Sequence, residues 1–153
     1  MDLRKILLTT IAGLFVMFLL GFGFYTLYYQ DLMVSMQEQF PTVINEEPNF
    51  AVGLIMTIVQ AFLLSMYFDK AGIKDASSGA INGAWISGVI WMVANGNMMA
   101  MTKLTTMDAF LIDMGISVVM GAIAGAIMAV VMGRLSKWSR WNIKRGQVAP
   151  FYI

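Results

Sequence analysis

The sequence predicts an all-α membrane protein, a four-helix transmembrane bundle with both termini on the cytoplasmic side. Three observations predict it: a composition too apolar for water, four apolar runs each long enough to cross a bilayer, and basic residues gathered almost entirely on one side of those runs. Hydrophobic residues make up 59% of the 153 and charged residues 12%, which leaves too little polar side chain to coat a soluble domain of this length. The formal net charge of +1 points to neither nucleic acid nor an acidic partner. No cysteine and no histidine occur, so disulfides, thiolate chemistry, imidazole proton shuttling and the commonest metal ligands are excluded.

The first run, 6–29, would make about 36 Å of helix at 1.5 Å per residue, enough for a hydrocarbon core of about 30 Å. It ends in Tyr25, Tyr28 and Tyr29, an interfacial aromatic belt, whereas a cleaved signal peptide has a shorter apolar centre followed by small residues. The segment is therefore read as a retained helix. An outer loop, 30–49, carries Asp31, Glu38, Glu46 and Glu47 and no basic residue. Within it Leu32, Met33, Met36 and Phe40 recur at helical spacing before Pro41 stops the pattern, which predicts a short helix on the outer membrane surface. The second span is 50–68, interrupted by Thr57, Gln60 and Ser65; the third is 76–101; the fourth is 107–133, broken by Asp108 and Asp113. A basic tail, 134–153, follows. No internal repeat or second domain is present, so 1–153 reads as one transmembrane domain.

Orientation follows from the excess of lysine and arginine on cytoplasmic loops. Arg4, Lys5, Lys70, Lys74, Arg134, Lys137, Arg140, Lys144 and Arg145 all fall on one side of a four-span chain, and Lys103 alone of the 10 basic residues falls on the other. The first side is cytoplasmic. This predicts a multi-pass protein of the cell inner membrane.

Small residues mark the packing faces. Gly79, Gly83 and Ser87 recur every four residues in the third span, with Ala80, Ala84 and Gly88 beside them, and Ser117, Gly121, Gly125, Ala129 and Gly133 do the same in the fourth. Helices in lipid gain little by burying apolar side chains against each other, so small residues that admit close backbone approach drive association. These stripes serve either contact between the third and fourth spans or a homodimer or docking face.

Asp113 is the candidate functional residue, because an acid within a span costs a few kcal/mol unless it faces protein or water. Counted inward from the outer ends, Asp113 and Asn95 both lie about six residues into their spans, roughly 9 Å deep. Asn97, Thr57 and Tyr25 lie at similar depth, and together the five predict a polar cluster in the outer half of the bundle. Such a cluster serves either as interhelical glue or as a proton-accepting site or the polar end of a pocket for a lipid head group or quinone. The 15 methionines include Met98, Met99 and Met101, whose thioethers suit monovalent copper, but methionine is spread over every span and reads as adaptable apolar filler. No metal and no cofactor is expected.

The tail interleaves Trp138 and Trp141 with Arg134, Lys137, Arg140, Lys144 and Arg145. Beside a cytoplasmic interface this composition predicts contact with anionic lipid, each basic residue contributing about 1 kcal/mol, rather than nucleic-acid binding. The stretches GFGFYTLYY, GAINGAWISGVIWMVANGN and LIDMGISVVMGAIAGAI resemble small four-span bacterial membrane proteins of domain-of-unknown-function families, across 6–132. The resemblance implies that topology and a bacterial inner membrane, and no activity. The sequence thus predicts a non-catalytic integral membrane subunit or accessory protein, whose partners are membrane lipids and other membrane subunits or a second copy. A small carrier or binder of a hydrophobic molecule, lipid or proton is the alternative, and a membrane enzyme has least support, with no paired-carboxylate motif.

Overall fold

A computed structural model describes residues 2–45 and 47–144, with side chains through Trp138. Glu46 of the outer loop, Arg145 and the rest of the tail, and the side chains of Arg140, Trp141 and Lys144 therefore lie outside the described residues. Those described are all helix and turn: α1 (Leu3–Phe24), a π-helical turn (Tyr25–Tyr29), α2 (Gln30–Gln39), α3 (Phe50–Ala71), α4 (Ala76–Met101) and α5 (Met107–Lys144).

Local chemistry sets the ends. Asp2 caps α1 by accepting from the Lys5 N–H (3.4 Å), Asn49 caps α3 from Val52 (3.1 Å), and Asp75 caps α4 from Ser78 (2.9 Å). Each satisfies a backbone donor that the first helical turn leaves free. Amide donors, the Ser78 N–H foremost, also hold the Asp75 carboxyl below the usual carboxylate range. Gly72 ends α3 in the left-handed region at φ 71°, where a Cβ would crowd the following carbonyl. Phe40 leaves helical geometry at φ −135°, ψ 59°, as a residue before proline is driven to do.

Two boundaries differ from the sequence reading. The loop expected from residue 30 begins only at Phe40: the π turn passes directly into α2, so that Leu3–Gln39 is one continuous helical stretch. Leu32, Met33 and Met36 are helical as expected, but as an extension of the first span rather than a separate surface helix. At the other end α5 does not stop at 133. Nothing between Arg134 and Lys144 breaks a helix, and the first part of the basic tail is its last turns. Trp138, expected to face lipid, is half exposed and lies under the Arg4 guanidinium, 4.8 Å from the ring, a cation–π contact.

The helices alternate in direction. In α1 against α3, Lys5 reaches Asp69 (3.4 Å), Thr10 bonds Ser65 (3.2 Å) and Tyr25 meets Phe50, an antiparallel register. In α1 against α5, Thr9 lies beside Met132 and Gly13 beside Met128, again antiparallel. Met17, Ala61, Leu64, Phe68, Ala124 and Met128 form the core where these three helices meet. The described basic residues near helix ends, Lys103 apart, gather at one end of the bundle, where Lys5 pairs with Asp69, Arg4 covers Trp138 and Gly133 abuts the Lys74 carbonyl.

α4 packs along α5 through the predicted stripes. A Cβ on Gly83 would strike the Gly121 carbonyl oxygen and the Gly125 Cα, one on Gly79 the Gly125 carbonyl and Ala129, and one on Gly121 the Gly83 carbonyl and Ser87. The stripes are therefore consumed inside the chain rather than left as a docking face, apart from Gly133, which meets the α3–α4 turn. α3 and α4 touch at that turn, where the Tyr67 hydroxyl donates to Asn82 Oδ1 (2.9 Å), but they do not pack along their lengths.

Three helical stretches, Leu3–Gln39, Phe50–Ala71 and Met107–Trp138, are long and apolar enough to cross a membrane. α4 has the length, at 26 residues, but Asn82, Asn95 and Asn97 dilute its apolar character and it is not among them. Large apolar side chains cover the outer surface, including Phe15, Phe18 and Phe22 on α1 and Leu111, Val119 and Ile123 on α5. A contiguous belt of this kind belongs in lipid rather than water.

Candidate functional site: a cleft around Asp113

The divergence of α3 from α4 leaves a cleft of roughly 430 Å³ at the end of the bundle opposite the basic cluster. All the helices contribute to its wall. Asp113 is half-buried two turns into α5, and both of its carboxylate oxygens are engaged. The Tyr29 hydroxyl donates to Oδ1 and the Asn95 side-chain amide donates to Oδ2. The α4–α5 stripe sets this geometry, since close backbone approach from Gly79 to Ser87 brings Asn95 opposite Asp113 two turns further on. One lone pair of the main-chain carbonyl of Asp113 takes the Ser117 hydroxyl (2.7 Å).

Tyr29 arrives by a different route. The π turn inserts a wider winding at Tyr25–Tyr29, which re-aims side chains relative to a regular helix and recurs at functional sites. Thr26 supports it by donating to the Phe22 and Gly23 carbonyls (3.2 and 2.9 Å). Tyr28 packs edge-on against Tyr29 with ring centroids 5.2 Å apart, and both rings line the cleft.

The five residues predicted to cluster separate into two groups. Asp113, Asn95 and Thr57 share the cleft, although the Thr57 hydroxyl bonds within its own helix to the Gly53 carbonyl (2.8 Å). Tyr25 turns away and packs its ring edge-on against Phe50 at 6.5 Å, and Asn97 is exposed and bonds back to the Val93 carbonyl (2.8 Å). Sequence reasoning missed Tyr29, Tyr28 and Gln60. Tyr29 stands four residues after Tyr25, one turn outward, but the wider winding of the π turn carries it off the Tyr25 face, which regular helical spacing does not indicate. Ser87, singled out for packing, is buried at 2% exposure at the cleft's inner edge, and its hydroxyl lies against Gly121 in the α4–α5 seam without a hydrogen-bond partner among the described residues.

The remaining wall is apolar, with Met17, Met33, Met36, Leu104 and Met120 around the polar patch. Unbranched thioether side chains adapt their shape to what they enclose. Among the described residues no group of three or more carboxylates could hold a metal ion. No protein-family model, curated protein or solved structure matches the chain.

Proposed function

We propose that this protein is an integral membrane protein that binds a small amphiphilic molecule in the Asp113 cleft, without catalysing a reaction on it. One observation carries the reading: a carboxylate fixed from both sides by Tyr29 and Asn95, at the wall of a cleft whose volume falls within the range of ligand sites and whose lining is mostly apolar. A purely structural aspartate would be closed over by its partners. Here Asp113 stays half-buried at the wall of an open space that Tyr29 and Asn95 do not close.

The reading includes four membrane crossings with both termini cytoplasmic, in an inner membrane of the kind implied by the resemblance to small four-span bacterial proteins. α4 runs antiparallel along α5, so if α5 crosses, α4 lies at the same depth. Its three asparagines are each bonded internally, to Tyr67 and the Ser78 carbonyl, to Asp113, and to the Val93 carbonyl, which offsets their cost in lipid. Its outer face carries Ile81, Trp85, Val89 and Met92. The basic cluster at one end supports the cytoplasmic assignment.

A second reading, the accessory subunit, is favoured by the first half of α3, where Phe50 is 70% exposed and Val52, Leu54, Ile55 and Met56 are exposed beside it. Extraction in mild non-ionic detergent followed by native mass spectrometry separates the two. The cleft reading expects a stoichiometric small molecule that is lost in Gly21→Phe, since a side chain at Gly21 enters open cleft with Met120 Cε as its nearest neighbour at 3.9 Å. A stoichiometric protein with no small molecule would favour the subunit.

A further inference from the structure

The cleft wall carries one carboxylate and no basic side chain. Both groups that bond Asp113, a phenol and a carboxamide, are neutral, so when ionised it has no counter-charge among the described residues of the wall. Each carboxylate oxygen accepts more than one hydrogen bond, so each retains capacity after Tyr29 and Asn95 are served. Three aromatic rings, Tyr28, Tyr29 and Trp91, line the same space. Aromatic faces attract cations, by up to about 2 kcal/mol or more where water is excluded. All of these features favour positive charge, and an anionic head group would meet the carboxylate with nothing to compensate it.

We infer that the molecule taken by this cleft is a lipophilic organic cation: a single ammonium-type head held by Asp113 and the aromatic rings, on an apolar body seated among Met17, Met33, Met36 and Met120. The inference rests on the reading of the cleft as a binding site and adds the charge class of its ligand. A bare divalent cation fits less well, because the wall supplies a single carboxylate against two positive charges. The exposed first half of α3, next to Thr57 and Gln60 on the wall, gives such a ligand a lateral route from lipid.

The test is calorimetric titration of the full chain in zwitterionic nanodiscs, with empty nanodiscs subtracted. Three probes of similar bulk are compared: tetraphenylphosphonium, tetraphenylborate and neutral triphenylmethanol. Saturable binding of the phosphonium at least tenfold tighter than either of the others is expected. Asp113→Asn should weaken the phosphonium tenfold or more, and Trp91→Leu should weaken it by a several-fold larger factor than it weakens triphenylmethanol. The second variant keeps the test decisive if the first does not fold. Triphenylmethanol binding as tightly as the phosphonium, or phosphonium affinity unchanged in the folded variants, would overturn the cation assignment while leaving the cleft a binding site. No saturable binding of any probe would overturn both.

Discussion

Tyr29 and Asp113 show how much a single hydroxyl contributes at the interhelical contact. The bond joins the π turn to α5 across the cleft, and hydrogen bonds between membrane helices average about 0.6 kcal/mol, with a maximum near 1.7. Tyr29→Phe removes the donor and keeps the ring. It should lower stability by that order in a denaturation series in detergent, whereas Tyr25→Phe, whose ring packs on Phe50, should change stability by less. A larger loss in the Tyr25 variant would reverse the assignment of the partner. Asp113 itself was legible in the sequence because an acid in a span has few tolerable surroundings, and Asn95 because depth can be counted along two neighbouring helices. Tyr29 was not, since a π turn leaves no mark in periodicity.

Between elements, the α4–α5 seam carries the tightest packing. Backbone meets backbone at Gly79, Gly83, Gly121 and Gly125, so no side-chain rearrangement makes room for a larger residue. Gly83→Leu and Gly125→Leu should each cost roughly 1–3 kcal/mol or more and lower the yield of folded protein in size-exclusion chromatography. Leu14→Ile, half-buried on α1, serves as the control, and equal tolerance of all three would sink the seam. The loss should also disturb the cleft, because the same approach holds Asn95 against Asp113. Small residues at four-residue spacing are visible in any sequence; that α4 and α5 face each other, rather than a second copy, is a matter of which surfaces the short loop at 102–106 allows to meet. The same reasoning accounts for α2. Its apolar spacing was legible, but whether it followed a loop or a continuous helix depended on backbone geometry at Tyr25–Tyr29 alone.

At the scale of the whole molecule, alternating helix direction places Lys74 and Lys137 at one end and Lys103 at the other. The chain has no cysteine, so single substitutions Lys74→Cys, Lys103→Cys and Lys137→Cys report without background. A membrane-impermeant maleimide applied to intact cells should label Lys103→Cys, and should reach the other two only after permeabilisation. Labelling of positions 74 and 103 from the same side would mean that α4 does not cross, and the four-crossing topology would fall.

By itself the sequence determined the solvent, because composition and run length are sums over residues and do not depend on how helices pack. It also placed the helix starts at 50 and 76, where the asparagine and aspartate caps are local chemistry, and the seam residues, because only small side chains permit backbone contact. Tertiary structure decided which of five polar residues meet. Depth along an axis is one coordinate, while a hydrogen bond also requires rotation about that axis, which the π turn, the α4–α5 seam and the divergence of α3 from α4 set together. It likewise decided that Ser87, a packing residue by its spacing, has its hydroxyl buried against Gly121 without a partner among the described residues, since only the neighbours brought by the other helices determine whether a polar atom finds a partner.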